Sequence, residues 1–363
     1  MNILFISKLS GNLWAGPNNS VPAQIKAQCK LDNCFWYNLN AVKRDEWQRE
    51  GLDCRNLTDY PSGRLADLPS PFDKPDVAIV EEVYCYPFEK IVTDLIKRKI
   101  PYIIVTRSTL TLQAQKNKRV KKMIGNILWF NRMINHASSV QYLTDAEKSE
   151  SEEQWKVRSC VIPNGTNLSD NQNFINIKNG IHALYIGRID IYQKGFDILL
   201  EAMNRVQDHL RKSGFHLKAF GPDREDAYSS IVKLIESYGI SDLISFHDAV
   251  FKEEKTEQLR NADIFVMSSR FEGMPMGLIE ALSFGLPCLV TKGTNLSDKI
   301  KEFDAGWIAE NDEVSLSRAL LRCIGDKERM NIKSQNAKKL SEQYSWENVA
   351  LITHEYLNSL LIK

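Results

Sequence analysis

The chain has 363 residues, enough for two domains of ordinary size, and 43% hydrophobic with 26% charged residues is a globular composition. A formal net charge of +1 supplies no global field for nucleic acid. The seven cysteines (Cys29, Cys34, Cys54, Cys85, Cys160, Cys288 and Cys323) are odd in number and scattered, with no Cys-x-x-Cys pair, so neither a zinc site nor a disulfide framework is indicated and the thiols read as reduced, in the cytosol.

The chain opens on Asn2 to Ser7, a strand-like apolar run. It lacks a basic leader and is too short for a signal peptide. Nothing downstream approaches the roughly 20 apolar residues of a transmembrane helix. A glycine-bearing loop, Ser10 to Ser20, leads into a helix over Val21 to Lys30. Strand, glycine loop and helix in that order suggest a Rossmann-like half with its ligand at the strand's C-terminal end, although no G-x-G-x-x-G is present. Asn33 to Tyr37 is a second strand. The run from Asn56 to Asp73 is rich in Pro, Gly, Ser and Asp and reads as loop. Asp76 to Val80 is a buried-type strand followed by Glu81-Glu82, Ile91 to Lys99 is helical, and Tyr102 to Val105 is another buried strand that ends in Thr106-Arg107-Ser108.

Between Asp94 and Asp145 there is no acidic residue and there are ten basic ones. Within that window, Lys116 to Asn135 combines Val120, Met123, Ile124, Ile127, Leu128, Trp129, Phe130 and Met133 with a basic N-terminal half. Two readings compete: a core helix with a solvated basic face, or a surface helix docking on anionic lipid. The one-sided charge tilts the reading toward lipid, because solvated faces usually mix signs. Residues 1–165 carry net +5 and the remainder net −4, in the same direction. Val140 to Leu143 is a strand, Thr144 with Glu147 forms a capping box, Cys160 to Ile162 is a last strand, and Pro163-Asn164-Gly165 is a turn.

After a polar stretch from Ser169 to Gly180, the pattern restarts. Ile181 to Ile186 is a strand, followed by the loop Gly187-Arg188-Ile189-Asp190-Ile191-Tyr192-Gln193-Lys194-Gly195 and a helix over Ile198 to Leu210. Two cations on one strand-to-helix loop can bracket a diphosphate: Arg188 as a bidentate fork, Lys194 as a compact charge. Leu217 to Pro222 is a strand, Ala227 to Tyr238 a helix, Ile244 to Val250 a strand-like segment, and Lys252 to Asn261 a short helix. Ala262 to Met267 is a buried strand. Ser268 to Met276 is then a strand-to-helix loop, with Gly277 opening a helix that Gly285 and Pro287 stop. The N–H groups of Met276, Gly277 and Leu278 at this helix start make an anion site. Two carboxylates, Glu272 and Glu280, flank it. They would repel a bare phosphate but suit a ligand carrying hydroxyls as well, as a nucleotide sugar does. Pro287 to Val290 and Gly306 to Ile308 are later strands, Asp312 to Gly325 is helical, and Tyr344 to Leu361 is a final helix.

Glu272 and Glu280, with seven residues between them in S-R-F-E-G-M-P-M-G-L-I-E-A-L, resemble the paired-glutamate motif of retaining glycosyltransferases of the GT-B fold, glycosyltransferase family 4. The G-R…K-G-x-D pattern of Gly187 to Asp197 is similar to that family's donor-diphosphate loop. The resemblance implies an α/β fold of two Rossmann-like domains facing an interdomain cleft. An N-terminal acceptor-binding domain would span 1–165 and a nucleotide-sugar domain 166–343, with a C-terminal helix, 344–363, crossing back to the first. It implies Arg188 and Lys194 on the diphosphate, Glu280 on the ribose, Glu272 on the sugar, and Gly16 at the donor phosphate, where Ala15 departs from the usual paired glycines. Arg107 resembles an acceptor-side arginine turn of polysaccharide-building members, with Ser108 in place of glycine. Glu81 and Glu82 stand where many relatives carry a histidine-containing motif after the strand ending at Val80, so no acceptor-side counterpart is identified there.

The activity implied is retaining, metal-independent hexosyl transfer from a nucleoside-diphosphate sugar, a UDP-sugar rather than a GDP-sugar, to a glycan or lipid-linked glycan. No cofactor and no metal are expected. The setting would be bacterial surface polysaccharide biosynthesis, in the cytoplasm at the inner face of the cell membrane, with peripheral contact through residues 116–135 and no nucleic acid partner. Two alternatives remain open: a sugar-nucleotide epimerase or hydrolase of the same fold, and an inactive sugar-nucleotide-binding subunit.

Overall fold

Short runs of β-branched and aromatic residues, closed by polar or glycine residues, become the strands of two parallel sheets. A computed structural model describes residues 1–12, 16–42, 44, 47, 51–85, 88–111, 114–115, 119–152, 155–170, 180–223 and 227–362. The backbone divides into two compact units, Met1–Gly165 with Trp346–Lys363, and Thr166–Ser345.

The first unit holds a seven-stranded sheet of β1 (Asn2–Ser7), β2 (Asn33–Asn38), β3 (Cys54–Asn56), β4 (Val77–Glu81), β5 (Tyr102–Val105), β6 (Ser139–Tyr142) and β7 (Ser159–Val161). Their order is β3-β2-β1-β4-β5-β6-β7 and every pairing is parallel. The helices are α1 (Pro17–Gln28), α2 (Phe88–Arg98), α3 (Arg119–Gly125), α4 (Asn131–Asn135) and α5 (Asp145–Glu152), with a π-helical turn, Asn126–Phe130, joining α3 to α4. Both faces of this sheet are covered, so β1 and β4 are continuous apolar runs with no polar alternation.

The second unit repeats the scheme with β8 (His182–Ile186), β9 (His216–Phe220), β10 (Ile244–His247), β11 (Ile264–Met267), β12 (Cys288–Thr291) and β13 (Gly306–Ala309), in the order β10-β9-β8-β11-β12-β13, all parallel. Its helices are α6 (Phe196–Arg205), α7 (Gln207–Ser213), α8 (Ala227–Tyr238), α9 (Lys252–Asn261), α10 (Met276–Ser283), α11 (Ser297–Glu302), α12 (Glu313–Gly325) and α13 (Met330–Glu342); α14 (Trp346–Leu361) belongs to the first unit, where it packs on α1. In both sheets the strand order reverses once, between β1 and β4 and between β8 and β11. In a doubly wound sheet that reversal opens a crevice at the strands' carboxyl ends.

Several local expectations shift. The single helix expected from Ile198 to Leu210 is two, because Val206 leaves helical geometry (φ −123°) and the Gln207 amide caps the Asn204 carbonyl at 3.1 Å. The loop expected from Asn56 begins inside β3, and α11 and α13 were not anticipated. The helix expected over residues 116–135 is described from Arg119, Lys116 and Lys118 lying outside the described residues. Its apolar residues divide: Val120, Met123, Ile124, Ile127, Leu128 and Trp129 are exposed, which removes the core-helix reading for that part, while Phe130 packs on the core and Met133 and Ile134 are buried in it. The Thr144 capping box forms on one side only. Thr144 Oγ1 accepts from the Glu147 N–H at 3.1 Å, but the Glu147 carboxylate takes the Leu143 N–H at 2.8 Å instead of that of Thr144.

Candidate functional site

The switch point of the second sheet gathers most of the anticipated residues, because the loops leaving β8 and β11 carry them. The β8 loop begins at Gly187 and ends at Gly195. Tyr185, fully buried in β8, donates its hydroxyl to the Arg188 carbonyl at 2.8 Å and so fixes the start of the loop. Burial pushes the Tyr185 phenol well above its ordinary value, with Glu272 adding to the effect, so it stays a donor. Asp190 accepts from the Gln193 N–H at 2.8 Å, which turns the chain toward Lys194. Gly195 then takes φ +66°, and a Cβ there would stand 2.1 Å from the Ser268 carbonyl oxygen, so only glycine lets this loop lie against the β11 loop.

The β11 loop is held from three sides. Arg270 forms a two-pronged pair with Asp197 at 2.6 and 2.7 Å and lies over the Tyr192 ring. Thr291 donates to the Ser269 carbonyl at 2.6 Å. The Asn295 amide donates to the carbonyls of Glu272 and Gly273. These anchors set the Glu272 carboxylate, which accepts from Ser269 Oγ and from Lys194 Nζ, each at 2.5 Å. Lys194 is only 7% exposed. Two cationic and anionic centres are therefore already matched at the strand ends before any ligand arrives. Arg188 is half-buried, and its guanidinium makes a long 3.4 Å contact with Gln193 Oε1.

Helix α10 brings its N-terminus to the same place. Gly277 is needed for packing as well as for access: a Cβ there would meet the Ile186 carbonyl at 2.7 Å, so the helix start sits hard against the end of β8. The helix has no side-chain cap and no acidic residue in its first turn. Of the three N–H groups expected to be open, Leu278 is taken by the Pro275 carbonyl at 3.1 Å. The other two, Met276 and Gly277, lie at the positive end of the helix dipole. Glu280 is half-buried on the same helix and forms an ion pair with Lys255 of α9, a partner that sequence patterns gave no reason to expect.

Gly16 and Arg107 both lie in the first unit. Gly16 is exposed and precedes α1, and its carbonyl accepts from the Asn19 and Ser20 N–H groups at 3.0 Å. Its φ is −46°, and a Cβ would meet nothing within 4 Å, so neither conformation nor crowding demands glycine here. Ala15 and its two predecessors lie outside the described residues. Arg107, expected to face the cleft on the acceptor side, has its side chain turned into the unit. Its side chain is 4% exposed and paired with Glu81 at 2.8 Å, and it also donates to Ser20, Asn164 and Gln24. The cause is local backbone: Arg107 and Ser108 both have positive φ (46° and 64°), which reverses the chain at the end of β5. Glu147, also buried, accepts from the Thr106 hydroxyl and from the Ser108 N–H at 2.5 Å, pinning that reversal.

Residues 169–340 match the model of the family described as Glycosyl transferases group 1, a stretch that fills nearly all of the second unit. The match covers 172 residues, just under half of the chain. The UDP-Gal:alpha-D-GlcNAc-diphosphoundecaprenol alpha-1,3-galactosyltransferase of Escherichia coli is 44% identical over 82 residues, 22% of this chain and 21% of that one. The amylovoran biosynthesis glycosyltransferase AmsD of Erwinia amylovora is 26% identical over 235 residues, 62% of this chain and 60% of its own. Among solved structures, Anabaena HepE in complex with UDP superposes with a TM-score of 0.73 at 16% identity, covering 99% of this chain and all of that one. The fold is GT-B, with one doubly wound sheet in each unit. The family match falls on the unit that holds Arg188, Lys194, Glu272 and Glu280.

Proposed function

We propose that this protein is a group 1 glycosyl transferase, a retaining hexosyltransferase that takes its sugar from a UDP-sugar and delivers it to a glycan or lipid-linked glycan in bacterial surface polysaccharide biosynthesis. The observation that carries the reading is the buried Lys194–Glu272 pair, 2.5 Å apart, on the loops flanking the β8–β11 switch point, with the start of α10 on one of the same loops. HepE was solved with UDP, one relative is named for a UDP-galactose donor and a diphosphoundecaprenol acceptor, and another for amylovoran biosynthesis. Those names support a uridine donor and a lipid-linked or polysaccharide acceptor for this chain. Thiols without disulfides suit a cytoplasmic setting, at the inner face of the membrane.

In this reading the bond between the anomeric carbon and the diphosphate oxygen breaks, and its electron pair leaves with the diphosphate. The acceptor hydroxyl adds to the same face, and its proton passes to the departing phosphate oxygen. Negative charge grows on that phosphate in the transition state. Arg188, Lys194 and the N–H groups of Met276 and Gly277 meet it, fixed in place before the reaction, where such dipoles count most. Glu272 trades part of its contact with Lys194 for sugar hydroxyls, and Glu280 trades Lys255 for the ribose. Protein cations, rather than a metal ion, balance the leaving group.

Thermal unfolding with UDP, GDP and ADP, on wild type and Glu280→Ala, tests the donor site. A ligand at about 100 times its dissociation constant adds roughly 2.7 kcal/mol, which moves the midpoint visibly. A shift with UDP alone, weakened in the variant, is the expected result. No shift with any of the three at millimolar concentration overturns the donor assignment. Interconversion of sugar donors without an acceptor would replace transfer by epimerisation.

A further inference from the structure

Helix α3 and the π-turn after it are built inside out for a helix of a water-soluble sheet protein. Val120, Met123, Ile124, Ile127 and Leu128 follow the i, i+3, i+4, i+7, i+8 spacing of one helical face, which ordinarily turns to the core. Here that face looks to solvent. These five side chains and Trp129 are each 51–72% exposed, while the residues turned inward are Gly125 and Asn126. Six large apolar side chains in ten residues make a contiguous patch, not the scattered single exposures normal for a soluble surface.

The charge around the patch selects its occupant. Arg119, Lys121 and Arg132 are exposed on the same helical run, and no acidic residue occurs anywhere from 95 to 144. Lys122 is not part of this set, because its ammonium is turned to the Ala114 carbonyl and the Tyr84 ring. A second copy of this chain would set Arg119, Lys121 and Arg132 of one run against those of the other. An apolar face flanked by exposed cations on its own run, with a tryptophan among the apolar side chains and Glu89 beside that tryptophan as the acidic neighbour, matches the boundary between anionic headgroups and acyl chains.

We propose that the Arg119–Asn135 run docks this protein on anionic bilayers, with Val120, Ile124, Ile127, Leu128 and Trp129 entering the acyl boundary and Arg119, Lys121 and Arg132 held by the headgroups. The run lies flat on the surface. It is too short to span, and no helix among the described residues is long and apolar enough to cross a membrane. The inference extends the proposed lipid-linked acceptor but does not depend on it, since the surface is defined without any sugar donor.

The test is cosedimentation of the full chain with phosphatidylglycerol vesicles and with phosphatidylcholine vesicles, in the absence of nucleotide. Wild type is expected to sediment with the anionic vesicles and not the zwitterionic ones, and binding should weaken as salt rises. Ile127→Glu and the pair Arg119→Glu with Lys121→Glu should each lower the partition coefficient at least tenfold. Ile127 lies in solvent, so its variant should unfold at the wild-type temperature, separating lost docking from lost folding. No sedimentation of wild type with phosphatidylglycerol, or equal sedimentation with both lipids, overturns the proposal. So does a lipid-free dimer that Ile127→Glu abolishes, because the face would then belong to a second copy. Because no nucleotide sugar is used, any of these failures leaves the donor-site result standing on its own.

Discussion

Arg107→Ala is the substitution that separates a structural arginine from an acceptor-side one. In the wild type the guanidinium and the Glu81 carboxylate are 4% and 1% exposed and lie 2.8 Å apart. Burial pushes the Glu81 carboxyl up and the neighbouring Arg107 charge opposes that shift, so removing the arginine leaves a buried acid with no counter-charge. Ser20, Gln24 and Asn164 lose a donor at the same time. Breaking one side of a buried pair costs about 3–5 kcal/mol. With a urea slope of about 2 kcal/mol per molar, the midpoint should fall by roughly 1.5–2.5 M. Intrinsic fluorescence is the assay, because six of the seven tryptophans lie in the unit that contains Arg107. The double variant Glu81→Leu with Arg107→Met should recover at least half of the loss, since neither buried charge then remains. The reasoning fails if Arg107→Ala unfolds within about 1 kcal/mol of wild type. If transfer nevertheless collapsed, Arg107 would have to touch the acceptor.

Gly277→Ala should weaken both folding and UDP binding, because its Cβ would press the Ile186 carbonyl at 2.7 Å and drive the start of α10 away from β8; a shifted melting temperature together with a raised Kd for UDP checks this. Lys194→Ala should lower kcat for transfer by about 10²–10³, the cost of removing one preorganised charge from the leaving group, and steady-state assays with excess EDTA should match those with magnesium. Asp32 provides the pH prediction. Burial raises its carboxyl, but hydrogen bonds from His354, the Met1 ammonium and Gln28 outweigh that and hold it below its ordinary value. A depressed carboxyl contributes stability that is complete above its unfolded value, about pH 4, and lost as pH falls through the folded value. Asp32→Asn should therefore unfold more easily at pH 7 and show a flatter acid limb below about pH 4 than wild type.

What the sequence could and could not reveal follows from where each signal is stored. The strands of both sheets are runs of four to six residues buried on two faces, so apolar content alone located β1, β4, β5, β8 and β11. The β8 and β11 loops were legible for a different reason. Their conformations depend on glycines at Gly195 and Gly277, whose absent Cβ atoms are what allow the backbones to touch, and those glycines stand in the sequence itself. The burial of Arg107 was not legible because strand-end position predicts a direction only if the backbone stays extended, and two consecutive positive φ angles reverse it. No residue type announces that reversal; it is enforced by Glu147, 39 positions away, through the Ser108 N–H. The Lys255–Glu280 pair was hidden for the same reason, being a contact between two helices with no shared local pattern. Periodicity found the α3 stripe but could not say which way it turned, because spacing defines a face and only packing defines its partner. Helix α13 escaped because its inward side includes Lys333, whose ammonium lies over the Trp307 ring and against Asp304, so a buried position carried the signature of an exposed one. Arg107, Glu280 and Lys333 share one cause. Each is a charged group whose orientation is set by a partner distant in sequence, whereas the residues on the donor-site loops have theirs set by backbone geometry that glycine and proline write locally.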